Sequence, residues 1–220
     1  RHRRRTNCRA SAKSYFDMEL WLDCRGVDQV GGQPLPKGCD RQLFSSGLRG
    51  SAGDKTSRTE GDLNVDDVTG KMIDSDGGLM GVVFAGDAAD AQARALSAIG
   101  SAQWVMLEAS DGSVCVPAEN LIAAGRQAGT RVAVAATNVR QIAGLAGALQ
   151  LGVDALVIPA SKNTVDFQSL WAEALKAKVA RQSRSSEEGA TLPSEKTTGS
   201  QELGVGRIIA VEPVSGLADR

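Results

Sequence analysis

The chain predicts an α/β fold of repeated βα units forming a mainly parallel sheet, as a partial βα barrel or a wound sheet. Three observations carry this. From Leu79 onward short apolar runs alternate with segments whose apolar residues recur at i, i+3 and i+4. Each strand-plus-helix unit takes about 25 residues, which suits a barrel and a wound sheet equally. The polar residues that punctuate the pattern gather where the apolar runs end, the usual place for ligands in such folds.

Residues 1–16 form an Arg-rich tail: Arg1, Arg3, Arg4, Arg5, Arg9 and Lys13 mix with Thr6, Ser11 and Ser14, and no acid precedes Asp17. The composition resembles an organelle transit peptide, with a plain basic tail as the alternative and cytoplasmic residence if it is one. The βα domain is expected over residues 17–181. Residues 18–23 read as a first strand with Asp23 at its carboxyl end, a Gly/Pro loop follows, and 39–44 read as a second strand. Residues 45–61, rich in Ser, Gly, Thr and charge, read as a mobile surface loop.

The regular part follows: strand 79–84, helix 87–99, strand 103–108, helix 118–128, strand 131–136, helix 139–151, strand 153–158 and helix 164–181. In the last helix Phe167, Leu170, Trp171, Ala174, Leu175 and Val179 make one apolar stripe. Residues 182–203 carry almost nothing apolar and read as a disordered linker or insertion. Residues 205–211 read as a strand, so 204–220 are expected to lead into a β-rich second half, of which the chain ending at Asp219-Arg220 holds only the start.

Composition narrows the chemistry. With 25 basic and 26 acidic residues, no global field draws the body to nucleic acid or to a membrane, and a small molecule is the expected partner; oligomeric state is left open. No apolar run is long enough to span a bilayer. Cys8, Cys24, Cys39 and Cys115 form no CxxC pair, so neither a metal site nor a disulfide framework is expected. His2 is the sole histidine and lies in the tail, which removes His-based catalysis and His-ligated zinc from the folded body. Neither G-x-G-x-x-G nor G-x-x-x-x-G-K-[ST] occurs; Gly77-Gly78 and Gly204-x-Gly206 precede strands and read as turns.

The candidate site residues are therefore Asp23, Glu108, Asp111, Asn138, Ser161, Lys162 and Glu212 at strand ends, with Glu119 and Asn120 in the first turn of a helix. Each has a structural alternative: Asp111 can hold a turn, Asn138 can cap a helix, and Glu119 can complement a helix dipole. Lys162, just past an apolar strand, could act as base or Schiff-base nucleophile if desolvated, or be a solvated loop lysine.

Three segments resemble one family: Val116-Pro117-Ala118-Glu119-Asn120-Leu121-Ile122-Ala123, Leu149-x-Leu151-Gly152-Val153-Asp154-Ala155-Leu156-Val157, and Val211-Glu212-Pro213-Val214-Ser215-Gly216-Leu217-Ala218-Asp219-Arg220. In order and spacing they resemble the amino-terminal half of type II (archaeal-type) 3-dehydroquinate synthase. The resemblance implies NAD as cofactor and an amino keto acid, 2-amino-3,7-dideoxy-D-threo-hept-6-ulosonate, as substrate. It further implies oxidation at the amine-bearing carbon, loss of ammonia, and aldol closure to 3-dehydroquinate in aromatic amino-acid biosynthesis, in a plastid if the Arg-rich start is a transit peptide. Such chemistry needs proton transfer, for which Glu119, Glu212, Lys162 and Asp219 are the candidates. Arg220 or Lys162 would hold the substrate carboxylate, with Asn120 and Asp23 as further substrate-binding candidates. Two departures from the family pattern stand out. Pro159 occupies a strand end where many relatives place Lys, and Gly216-Leu217-Ala218-Asp219-Arg220 lacks the second glycine of Gly-Met-Gly-Asp-Arg. A 3-amino-4-hydroxybenzoate synthase-like cyclase and a non-catalytic βα binding domain are the alternative readings.

Overall fold

A computed structural model describes residues 17–27, 35–46, 61–109, 113–160 and 164–190. The Arg-rich tail, most of the 45–61 loop and the strand expected at 205–211 lie outside these residues. Eight strands close on themselves in chain order: β1 (Glu19–Asp23), β2 (Arg41–Ser45), β3 (Leu63–Val65), β4 (Lys71–Ile73), β5 (Leu79–Gly86), β6 (Trp104–Ala109), β7 (Arg131–Ala135) and β8 (Ala155–Pro159). The expected α/β class with a mainly parallel sheet holds, but the sheet is neither partial nor wound. β8 pairs in parallel with β1, from Glu19↔Ala155 to Asp23↔Pro159, and so closes the barrel within this chain. Only β4 runs against its neighbours.

The strands alternate, because successive side chains leave opposite faces of the sheet. Trp21, Leu43, Leu63, Val65, Met72, Val83, Trp104, Met106, Ala133, Ala155 and Val157 point inward and fill the barrel. The residues between them, among them Leu20, Leu22, Val105, Leu107, Val132, Val134, Leu156 and Ile158, form an outer layer beneath the helices. Both faces are apolar, which is why these strands read as continuous hydrophobic runs. Inside, Trp21 and Trp104 meet with ring centroids 4.6 Å apart at 58°. Gly81 is required where β5 passes beneath them: a Cβ there would collide with the Trp104 carbonyl oxygen and come within 2.7 Å of the Met72 methyl.

The helices are α1 (Ala88–Ala98), α2 (Cys115–Ala128), α3 (Val139–Gly147) and α4 (Thr164–Ala190). They pack against β5–β8 and β1. Asp87 caps α1 by accepting from Ala89 N and Asp90 N. α2 buries Leu121 and Ile122, and each fully buried aliphatic side chain of this kind stabilises by about 1.5–3 kcal/mol. Asn138 and Gln141 form a reciprocal capping box that starts α3.

Three boundaries differ from expectation for physical reasons. α2 starts at Cys115, because Pro117 lies in a first turn whose N–H groups have no helical partner to lose. α3 ends at Gly147, where a 3₁₀ turn with Leu149 (φ 50°) and Gln150 (φ 63°) swings the chain into β8. α4 continues to Ala190, so the helix takes in residues 182–190 of the expected linker. β3 and β4 had no clear sequence signature, since three residues are too few to establish alternation.

Candidate functional site

The carboxyl ends of the parallel strands open at one mouth, where catalytic residues of βα barrels are placed. Asp23 ends β1, Ser45 ends β2, Glu108 is next to last in β6 and Pro159 ends β8. Parity sends Asp23 and Glu108 inward, since they share a face with Trp21 and with Trp104 and Met106.

A guanidinium spans this mouth. Arg25, two residues beyond Asp23, donates from its backbone N–H and Nε to Asp23 Oδ1 at 3.1 and 2.8 Å, and from Nη2 to Asp23 Oδ2 at 2.6 Å. The same Nη2 reaches Glu108 Oε2 at 2.9 Å. β1 and β6 are not neighbours; β8 and β7 lie between them, so Arg25 ties two distant strands over the packed core. Burial opposes the charge on Arg25, but the hydrogen bonds and charge of Asp23, and then those of Glu108, outweigh it and raise its pKa. It is a permanent cation. Elsewhere on the rim the Ser45 hydroxyl donates to Asp67. Arg94 of α1, its side chain half-exposed, donates to the Ala85 carbonyl at 2.7 Å and pairs with Asp90.

The structure sorts the sequence candidates. Asp23 lies at the mouth, but both of its oxygens are committed to Arg25. Glu108 lies there too. Asn138 has its structural alternative, as the cap of α3. Glu119 and Asn120 are not in the first turn: α2 begins earlier, and its first turn carries no acid. Glu119 is half-buried and Asn120 exposed, one turn inside the helix, and neither bonds to the Asp23–Arg25–Glu108 group. Asp111, Ser161, Lys162, Glu212, Asp219 and Arg220 lie outside the described residues. Pro159, paired with Asp23, faces the mouth and brings no acid-base group to it. Sequence reasoning missed Arg25. Its signal was its position two residues after a strand-end aspartate.

Cys24 and Cys39 are not nucleophiles of this site. Burial, then the charge of Asp23, pushes Cys24 up to about 12; burial likewise raises Cys39 to about 11 despite backbone hydrogen bonds that favour the thiolate. A cavity of about 480 Å³, lined by Ser46, Asn64, Ile73 and residues 74–77, lies on the outer side of the wall at β3 and β4. Asn64 and Ile73 alternate with the inward Leu63, Val65 and Met72, so they face away from the barrel interior. Asp74 on its rim already accepts from Asp76 N and Gly78 N.

No curated protein matches the chain. Residues 50–168, more than half of it, match the profile of the 3-dehydroquinate synthase II N-terminal domain, and the chain belongs to that family. The matched stretch runs from before β3 into α4 and contains Glu108 and Glu119; Asp23 and Arg25 precede it.

Proposed function

We propose that this member of the 3-dehydroquinate synthase II family carries the active-site mouth of an enzyme acting on 2-amino-3,7-dideoxy-D-threo-hept-6-ulosonate. The reaction is NAD-dependent oxidative deamination at the amine-bearing carbon, followed by aldol closure of the resulting diketo acid to 3-dehydroquinate. The family match over 50–168 carries the reading, and it coincides with the strands and helices that deliver Glu108 and the α2 rim. The mouth suits a substrate with a cationic amine, because two carboxylates and one guanidinium leave a net negative charge at Asp23, Arg25 and Glu108.

In this reading NAD would be held at the start of α2. α2 starts on this rim, directly after the loop from β6; its N-cap Val114 makes no side-chain hydrogen bond and no acid sits in its first turn. Pro117 has no N–H and Ala118 N–H bonds the Val114 carbonyl, which leaves the N–H groups of Cys115 and Val116 as the donors this reading would offer a pyrophosphate. The bound nicotinamide would supply the hydride acceptor, and the protein's part is to position the amine and to move its proton.

The test is to supply the complete gene product with the amino keto acid and NAD, follow NADH formation, and identify the product. 3-Dehydroquinate formed with one equivalent of NADH supports the proposal. An aminohydroxybenzoate product, or no turnover with correctly folded protein, overturns it.

A further inference from the structure

The two carboxylates of the mouth are not equivalent. Asp23 is 12% exposed and spends both oxygens on Arg25, whereas Glu108 is 38% exposed and gives Arg25 only Oε2. Among the described residues nothing bonds Glu108 Oε1. On the neighbouring strands Glu108 has Ala85 beside it in register and β7 ends nearby in Ala135, so no large side chain of β5 or β7 covers that oxygen. A cation approaching Asp23 must displace a half-buried guanidinium held by several hydrogen bonds. One approaching Glu108 Oε1 meets no ion pair that has to be broken among the described residues.

We infer that Glu108 receives the substrate's ammonium group and removes its proton, with Arg25 and Asp23 acting as positioning residues. This rests on the function proposed above and assigns that site its base. The step balances simply: an ammonium and a carboxylate become a free amine and a carboxylic acid, the proton passing from nitrogen to Oε1 with no bond to carbon changed. The amine lone pair so exposed is what allows the adjacent carbon to release a hydride. Arg25 holds the rotamer through Oε2 and leaves Oε1 for the amine. The net charge argues for the same orientation: one ammonium neutralises the Asp23–Arg25–Glu108 group, while a substrate carboxylate would be repelled by it.

The test uses the complete gene product, wild type and Glu108→Gln, in two assays. In calorimetry without NAD, the wild type should bind the amino keto acid, and Glu108→Gln should weaken that binding about tenfold or more. Binding of the diketo acid, which has no amine but keeps its carboxylate, should not weaken, since the variant loses a negative charge. In turnover, Glu108→Gln should slow NADH formation by about 10²–10⁴-fold, yet still close supplied diketo acid to product. That closure also shows that the variant is folded, and Glu108→Asp, with a shorter reach, should recover part of the lost rate. Arg25→Met should lower kcat for the amine while leaving diketo-acid closure intact, and Arg25→Lys should rescue it only partly, because the ammonium lacks the fork that grips Asp23. Equal loss of both activities in Glu108→Gln, or loss of neither, overturns the inference alone. Absence of NADH formation by the wild type overturns the proposed function and this assignment with it.

Discussion

The two ends of the barrel use the same chemistry in opposite ways. At the amino-terminal end Glu19, with 3% of its side chain exposed, accepts from Arg41 Nε at 2.8 Å, Arg131 Nη1 at 3.1 Å and the Trp21 indole at 2.8 Å. Arg131 lies 4.0 Å above the Trp104 ring, and Arg41 5.9 Å from that of Trp21, so two arginines cover the tryptophan pair. Arg41 also donates to the Gly61 carbonyl, and Arg131 stands 3.9 Å from Asp154. At the carboxyl-terminal mouth one arginine serves two carboxylates, one of which has an oxygen with no partner among the described residues. A surplus of cation around a buried carboxylate makes a plug; a surplus of carboxylate around a half-buried arginine makes a receptor. Barrels commonly divide stability and chemistry between their ends in this way.

Removing the plug is the sharpest test of that division. Glu19→Ala leaves Arg41, Arg131 and the Trp21 N–H without their shared acceptor, and breaking one partner of a buried ionic group costs about 3–5 kcal/mol. The denaturation midpoint should fall accordingly, whereas turnover of the fraction still folded should keep its KM. A changed KM with an unchanged midpoint would reverse the roles of the two ends. Gly81→Ala tests the packing between them. The new methyl collides with the Trp104 backbone, and overpacking of this kind costs about 1–3 kcal/mol. Because Trp104 and Glu108 share β6 and its inward face, this variant should also raise KM for the amine, if the mouth is held in place from below. Glu108→Gln gives the smallest loss of stability of the three, at most about 1 kcal/mol for a half-exposed pair. Its midpoint in urea should stay close to wild type while its activity collapses.

How much of this was legible in the sequence follows from how far each signal reaches along the chain. β5 to β8 and α1 to α4 were readable, because apolar alternation and helical periodicity are local and Asp87, Asn138 and Gly129 mark helix ends with their own chemistry. Closure of the barrel was not, because it depends on the pairing of Glu19–Asp23 with Ala155–Pro159, more than a hundred residues away. The site divides likewise. Asp23 and Glu108 were readable as strand-end acids, but which of them is spent could be known only once Arg25 was seen to reach both. Glu119 looked more prominent in sequence than it is in the structure, since its motif begins in the first turn of α2 and the side chain comes one turn later.

The outer layer beside the mouth offers the last and, at neutral pH, the mildest probe. Cys24 follows Asp23 but points away from the opening: it is 2% exposed and packed in the layer under the helices. Cys39 lies in the same layer, so neither thiol shares the water that reaches Glu108. Burial raises both pKa values, from 9.0 to about 12 for Cys24 and to about 11 for Cys39. The stabilising protonated form is therefore fully populated in both states below pH 9. Above that the unfolded chain loses its thiol protons first, and the stability they support declines as pH rises through 11 toward 12. Cys24→Ala should leave the pH 7 midpoint lower only by a small packing loss and should flatten the alkaline decline relative to wild type. An equally steep decline in the variant would mean that water reaches Cys24, and that the open region of the mouth extends through the wall rather than stopping at Glu108.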